Sequence, residues 1–434
     1  MPGPFAPLVQ DLPVSENMTL GGGQGRRVVH VLRKYNPREW GGTETHVVEV
    51  TRRLVRLGWW PQVHAPLGPT EPDRALDPHV PLLRYRAFAP YLGTPEKRQA
   101  LIANAGNLVT LDEPLRLIRD RRLALAHLHT AGRIGGAVRT AMRLTGRPYV
   151  LSVHGPLLSQ REWFKAETAQ QLEGVMDLGR PFGALLGSRK VLRDAARVLT
   201  FNDEEQRALS EVVGARAVRL DQGVDADRLR TGCVSRGYRR WPGLAGVPLL
   251  VLLGRLSPQK NQQLAIRAFA QGAPGDHHLA IAGAAMAPSY RGCLEQEIHS
   301  LGLSGRVHLL GNLDAVDEVP DLLALAKLVI VPSAHEAFGL IVLEAWAAGR
   351  PTLTSLRGGL KDLADALGRD ALCVPSLEVA AWATALRQVL ANPEALAAAA
   401  QAGQRLIQRR FGWDAVALRI EEIYQAVLDE RGLL

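Results

Sequence analysis

The stretch Pro248-Leu249-Leu250-Val251-Leu252-Leu253-Gly254-Arg255-Leu256-Ser257-Pro258-Gln259-Lys260-Asn261 reads as a buried strand that ends on a glycine and runs into a loop with two cations. An unbroken apolar run of this length, flanked by turn residues, suits a strand covered on both faces, as in a parallel sheet. The same texture recurs on either side. Downstream, 278–282, 306–310, 328–331 and 352–354 read as further strands with helical stretches between them. Three helical stretches, 377–390, 393–409 and 413–428, close the chain. Upstream, 28–32, 61–65, 125–129, 149–153 and 196–201 read as strands, and a helical stretch over 43–57 is stopped by Gly58. Short apolar runs alternating with longer amphipathic ones are the mark of a parallel α/β architecture.

A chain of 434 residues exceeds one ordinary core. Gly237, Pro242, Gly243 and Gly246 crowd the region around residue 240 and read as a linker. The expected organisation is a flexible tail over 1–25, a Rossmann-like domain over 26–235, a linker over 236–246, a second Rossmann-like domain over 247–412 and a closing helix over 413–434. Ligands of doubly wound sheets bind beyond the carboxyl ends of the strands, so two such domains predict a cleft between them.

Composition is that of a globular protein, 47% apolar and 22% charged. No stretch reaches the roughly 18 consecutive apolar residues needed to cross a bilayer. The tail carries Pro2, Pro4, Pro7, Pro13 and the run Gly21-Gly22-Gly23 but no apolar core of a secretory leader. Cys233, Cys293 and Cys373 lie far apart, which argues against a disulfide framework or a zinc site. A reducing compartment, the cytoplasm, is the plain expectation. Residues 1–240 hold 36 Lys+Arg against 24 Asp+Glu, and the remainder 16 against 19. A basic first half suits an anionic partner, such as a phosphate-bearing acceptor or the anionic face of a membrane contacted peripherally. No RNP, helix-turn-helix or zinc-finger pattern is present, so no nucleic acid is expected.

The strongest chemical signal is Glu336-Ala337-Phe338-Gly339-Leu340-Ile341-Val342-Leu343-Glu344. From Gly339 to Gly349 the residues are apolar all round except Glu344, which predicts a buried helix starting near Phe338 or Gly339. Such a helix start offers unpaired N–H groups to an anion, and Gly339 permits close approach. Glu344, inside the helix, needs a partner: sugar hydroxyls or a neighbouring arginine would serve. Gly254-Arg255 and Lys260 place two cations at the carboxyl edge of a sheet, suited to a diphosphate, although either alone reads as a solvated loop residue. Gly41-Gly42 follows the first strand and allows close backbone approach to phosphate, but lacks the G-x-G-x-x-G spacing of a dinucleotide site. His154, ending the fourth strand, could contact a sugar or stabilise developing charge. His127 and His129 share a strand face, where packing is the ordinary role. Asp225-Ala226-Asp227 has metal-motif spacing, but such spacing occurs by chance in many chains and a turn or helix cap explains it here. Trp163-Phe164-Lys165 reads as core or as an acceptor or membrane contact.

In this order the pieces resemble glycosyltransferase family 4, the retaining enzymes of the GT-B fold. The resemblance covers nearly everything after the tail and is strongest from Val247 onward. Glu336 through Glu344 matches the family's E-x7-E signature. Gly254-Arg255 with Lys260, and Phe411-Gly412-Trp413, fall at the expected places. Gly358-Gly359-Leu360-Lys361-Asp362 resembles its GG-x-x-E with Asp for Glu. Departures are Asn261 after Lys260, Ala284-Ala285-Met286 after Gly283, and Arg357 before the glycine pair.

The resemblance implies an α/β GT-B fold and transfer of a sugar from a nucleotide diphosphate sugar to a saccharide, lipid-linked glycan or small-molecule acceptor. Anomeric configuration would be retained, without metal or cofactor. It implies Glu336, His154, Arg255 and Lys260 at the reacting centre. Gly41, Gly42, Gly254, Arg255, Lys260, Phe338, Gly339, Leu340 and Glu344 would lie against the donor, with the closing helix crossing back to the first domain. Two alternatives remain at this stage: a sugar phosphorylase on the same fold, and a nucleotide-sugar-binding protein without turnover.

Overall fold

The computed structural model describes residues 26–36, 41–67, 76–92, 94, 107–159, 175–285 and 288–433. The tail over 1–25 and Trp163-Phe164-Lys165 lie outside them. In the first half the strands are β1 (Arg27–Val31), β2 (Trp60–Pro66), β3 (Leu82–Tyr85), β4 (Tyr91–Leu92), β5 (Leu123–Leu128), β6 (Tyr149–Ser152), β7 (Met176–Asp177), β8 (Arg197–Thr200) and β9 (Ala217–Arg219). Seven of these form one sheet in the order β3-β2-β1-β5-β6-β8-β9, while β4 and β7 pair antiparallel. Strands β10 (Leu249–Leu253), β11 (His278–Ala282), β12 (Val307–Gly311), β13 (Ala326–Val331), β14 (Thr352–Ser355) and β15 (Leu372–Val374) form a second sheet in the order β12-β11-β10-β13-β14-β15. All five neighbouring pairs of its strands are parallel. The fold is GT-B, two Rossmann-like parallel sheets with helices around them.

Two compact units result. Among the described residues, one comprises those of 26–152, 175–198 and 414–433; the other, those of 153–159 and 199–413. The division runs through β8. The second unit's core joins Leu250, Leu252, Ile281, Leu328 and Ile330 of the sheet to Ile266, Phe269, Trp382 and Leu386 of flanking helices. Every residue of β10 is apolar and Leu249–Leu252 are buried, as suits a parallel strand enclosed on both faces.

Residues 236–246 are not an extended connector. A helix, Val234–Arg240, and a short turn, Pro242–Leu244, occupy them. Gly237 sits so close to Leu325 that an added Cβ would lie 3.0 Å from its side chain, and Arg236 is bonded to the buried Asp321. The glycine that suggests a linker is there for helix packing. Among the described residues, no helix is long and apolar enough to cross a membrane.

Candidate active site

The second sheet reverses its strand order between β10 and β13, the topological position at which doubly wound sheets leave room for a ligand. The loops leaving these two strands carry the signature residues. After β10, Gly254 adopts φ +149°, and an added Cβ there would lie 3.3 Å from Cε of Lys260. The lysine stem therefore passes over the glycine. Lys260 ends the short turn Pro258–Lys260. Asn261 then takes the left-handed φ of 57°, and the helix Gln262–Gly272 follows.

Lys260 Nζ donates to Glu336 Oε1 at 2.5 Å, and Ser333 Oγ donates to the same oxygen at 2.7 Å. Glu336 is 7% exposed. Its loop is pinned on several sides. Ala334 N donates to Gln259 O, Gln259 Nε2 to His335 O, Ser355 Oγ to Ser333 O, and Gly359 N to Glu336 O. Arg255 stands in the lysine's loop with its side chain exposed, and its carbonyl accepts from Gln262 Nε2.

Gly339, at φ +101°, caps the helix Leu340–Ala347 and brings no capping side chain. The first amides of that helix thus have no side-chain acceptor at the cap position, leaving a partial positive charge. Phe338 is buried with its ring edge against Phe411. Gly358 and Gly359 allow the next helix, Gly359–Leu367, to approach closely: an added Cβ would lie 2.3 Å from Glu336 O and 2.4 Å from Phe338 Cα respectively. Asp362, which stands for the glutamate of the family pattern, accepts from Asp203 N and faces Arg219.

Glu344 has the arginine partner weighed in the sequence: Arg228 Nη2 lies 3.6 Å from Oε1. Burial raises the Glu344 pKa and Arg228 pulls it back down, while about a quarter of the side-chain surface still meets solvent (26%). Asp225 caps the helix Ala226–Arg230 by accepting from Arg228 N, so Asp225-Ala226-Asp227 is a helix start. Arg228 also donates to Ala315 O.

His154, half-buried, follows β6 and lies against Phe201. Four nearby residues escaped the sequence reading. Asn202 caps the helix Asp203–Val213 and donates through Nδ2 to Ala337 O at 2.8 Å. Glu205, 1% exposed, accepts from the segment after His154. Ser333 holds Glu336. His335 is buried, and neither ring nitrogen has a hydrogen-bond partner among the described residues. Burial holds its pKa down, against the pull of Glu336 and Glu205. Asn202-Asp203-Glu204-Glu205 after a strand signals a helix start, but not what else those side chains hold.

Gly41 and Gly42 belong to the first unit. Gly41, in extended backbone, caps the helix Gly42–Arg56, and its carbonyl accepts from Thr45 N. In the same unit, ligand atoms of His30, His127 and His129 lie within 4.8 Å of one another. They are engaged already: His30 with His129, and His127 with Tyr424 and Ser152. A pocket of about 760 Å³ lined by Arg27, Gln62, His64, Arg116 and Asp120 includes the first residue of β1, at the strand end opposite to the one such sheets use for ligands.

The family described as "Glycosyl transferase 4-like domain" matches residues 41–222, and "Glycosyl transferases group 1" matches 242–406. D-inositol 3-phosphate glycosyltransferases are similar over most of the chain. That of Nocardia farcinica is 30% identical over 71% of this chain and 67% of its own length. The chain belongs to glycosyltransferase family 4. The D-inositol 3-phosphate glycosyltransferase 2 of Catenulispora acidiphila is 28% identical over 90% of this family member and 91% of its own length. The 2-deoxystreptamine glucosyltransferase of Streptomyces kanamyceticus is 26% identical over 85% and 95%. Among solved structures, HepE of Anabaena, crystallised with UDP and glucose, matches 92% of this chain and 100% of its own at a TM-score of 0.72 and 20% identity. This chain is therefore an enzyme of glycosyl transfer on a GT-B fold, with the family signature at the reversal point of its second sheet.

Proposed function

We propose that the enzyme transfers a hexosyl unit from a uridine diphosphate sugar to a hydroxyl of a polyhydroxylated six-membered ring, with retention of configuration. The Lys260–Glu336 pair beside the glycine-opened helix at Leu340 carries the reading. It sets a cation and a helix start, both complementary to phosphate, next to a carboxylate able to accept from sugar hydroxyls. Lys260, Arg255 and the amides after Gly339 meet the diphosphate; Glu336 holds the sugar, Glu344 the ribose, and His154 the sugar near its reacting end. The acceptor hydroxyl attacks from the leaving group's face, and a donor phosphate oxygen takes its proton. The diphosphate charge is met by side chains and amides, with no metal or cofactor assigned a role.

UDP and glucose in HepE support the donor class. The two acceptors named among the relatives, an inositol phosphate and 2-deoxystreptamine, are both ring polyols, which supports the acceptor class. The test is a panel of uridine, guanosine and adenosine diphosphate sugars against inositol phosphate, aminocyclitol and saccharide acceptors. Product anomers are assigned by NMR. Turnover only with guanosine or adenosine donors, or an inverted product, overturns the assignment. So does unchanged turnover in Glu336→Ala and Lys260→Ala.

A further inference from the structure

Glu205 is buried to 1% exposure, yet it accepts four hydrogen bonds from one short segment. Leu157 N and Leu158 N donate to Oε1 at 3.1 and 2.9 Å; Ser159 N and Ser159 Oγ donate to Oε2 at 3.0 and 2.6 Å. That segment begins three residues after His154, and the residues between include the buried Pro156, whose φ is fixed by its ring. At the other end, Val153 N donates to Leu199 O of β8 at 2.8 Å. The stretch carrying His154 is thus fastened on both sides to one element, the end of β8 and the helix Asp203–Val213.

The same element reaches the signature loop. Asn202 accepts from Glu205 N through Oδ1 at 2.8 Å and donates through Nδ2 to Ala337 O, one residue beyond Glu336. Four hydrogen bonds to a buried carboxylate exceed what capping a helix requires, and an ionised group is kept in such a place only when it is this well satisfied.

We propose that Glu205 is a positioning residue: it fixes the His154 segment relative to the Glu336 loop, which Asn202 holds from the same helix start. The inference rests on the role given above to His154. Small misplacements of a reacting group cost rate even where binding is kept, because the attack geometry is what the site supplies. Glu205→Gln keeps the shape but turns an N–H donor toward backbone N–H donors, so part of the segment is released. Ser159→Ala removes a single contact and leaves the fold alone.

The experiment uses the full chain with whichever nucleotide sugar gives turnover in the panel, UDP-glucose first, and follows kcat and donor KM separately. Glu205→Gln is expected to lower kcat about tenfold with donor KM within about twofold, and Ser159→Ala to lower kcat about two- to threefold. His154→Ala lowers kcat at least as far as Glu205→Gln. The double variant His154→Ala/Glu205→Gln is no slower than His154→Ala alone, since a residue acting through another adds nothing once that other is gone. Independent, multiplying losses in the double variant overturn the proposal. So does wild-type kcat in both Glu205→Gln and Ser159→Ala while His154→Ala is slow; the role of His154 then stands. If His154→Ala itself keeps wild-type kcat, the assignment of His154 falls and the positioning role with it. Should Glu205→Gln fail to fold, judged by its melting curve, Ser159→Ala alone and combined with His154→Ala decides the same question.

Discussion

Lys260 and Glu336 neutralise each other at 2.5 Å with little solvent around either side chain, 18% and 9% exposed. Losing one partner of a buried pair leaves the other uncompensated, a cost of about 3 kcal/mol, whereas replacing both by apolar groups is often close to neutral. Lys260→Ala and Glu336→Ala are therefore each expected to lower stability in urea. Lys260→Met/Glu336→Leu should recover most of the loss while remaining about 10²-fold slow or worse in turnover. A double variant as unstable as the worse single would sink the pairing argument; recovered turnover would sink the functional one. Glu344 offers a titration. Burial raises its pKa and Arg228 lowers it, so removing Arg228 raises it further. If the ionised acid accepts from the ribose, donor affinity falls as pH drops through that pKa. In Arg228→Gln the fall begins at a higher pH than in the parent enzyme. The measurement is donor KM against pH for the two proteins, and superimposable profiles would refute the link.

The helix Leu340–Ala347 shows what a sequence can and cannot give at the scale of elements. Its all-round apolar character, the strand before it and the glycine at its start were legible because each is a local pattern. The strands of the second sheet up to β14 were legible for the same reason. Leu82–Tyr85 and Ala217–Arg219 escaped notice: they are three or four residues long, sit at the sheet's edges and carry Arg84 and Arg219. Residues 236–246 were misread because a glycine needed for close packing has the same local signature as one in a loop. Asn202 and Ala337 lie 135 residues apart, and no periodicity encodes such a bond. The helix start also yields a prediction. At Gly339, φ is +101° and an added Cβ would lie 2.7 Å from Leu360 Cδ2. Gly339→Ala is expected to cost about 1–3 kcal/mol in backbone strain alone. Turnover should fall as well, because relief of the contact shifts either the helix start or Leu360. Melting temperature and kcat, measured together, test this; an alanine variant that melts with the parent would mean that the left-handed turn is not required.

On the scale of the whole molecule, the chain's last segment, Asp414–Leu434, belongs to the same compact unit as its first strands. The helix Trp413–Asp429 buries Val416, Ala417, Ile420, Ile423, Tyr424, Val427 and Leu428. Its one polar anchor in that row is the Tyr424 hydroxyl, 2.5 Å from His127 Nδ1, with the ring edge-on to Trp59. Burial raises the Tyr424 pKa well above the usual phenol value, so the hydroxyl stays protonated at any ordinary pH and can donate to the imidazole. His127 in turn reaches Ser152 at 2.7 Å, which joins β5, β6 and the final helix through one side chain. Tyr424→Phe keeps the apolar contacts and removes the oxygen that bonds His127 Nδ1, in a place water does not reach. The expected loss is about 1 kcal/mol, the usual net worth of a buried hydrogen bond. Because no residue assigned to the donor lies in Asp414–Leu434, donor KM should stay at the parent value while the denaturation midpoint falls. His127→Leu in the Tyr424→Phe background should then cost less than His127→Leu alone, since the bond between the two side chains is already gone. Equal costs in the two backgrounds, or a Tyr424→Phe enzyme as stable as its parent, would show that apolar packing by itself holds the closing helix in place.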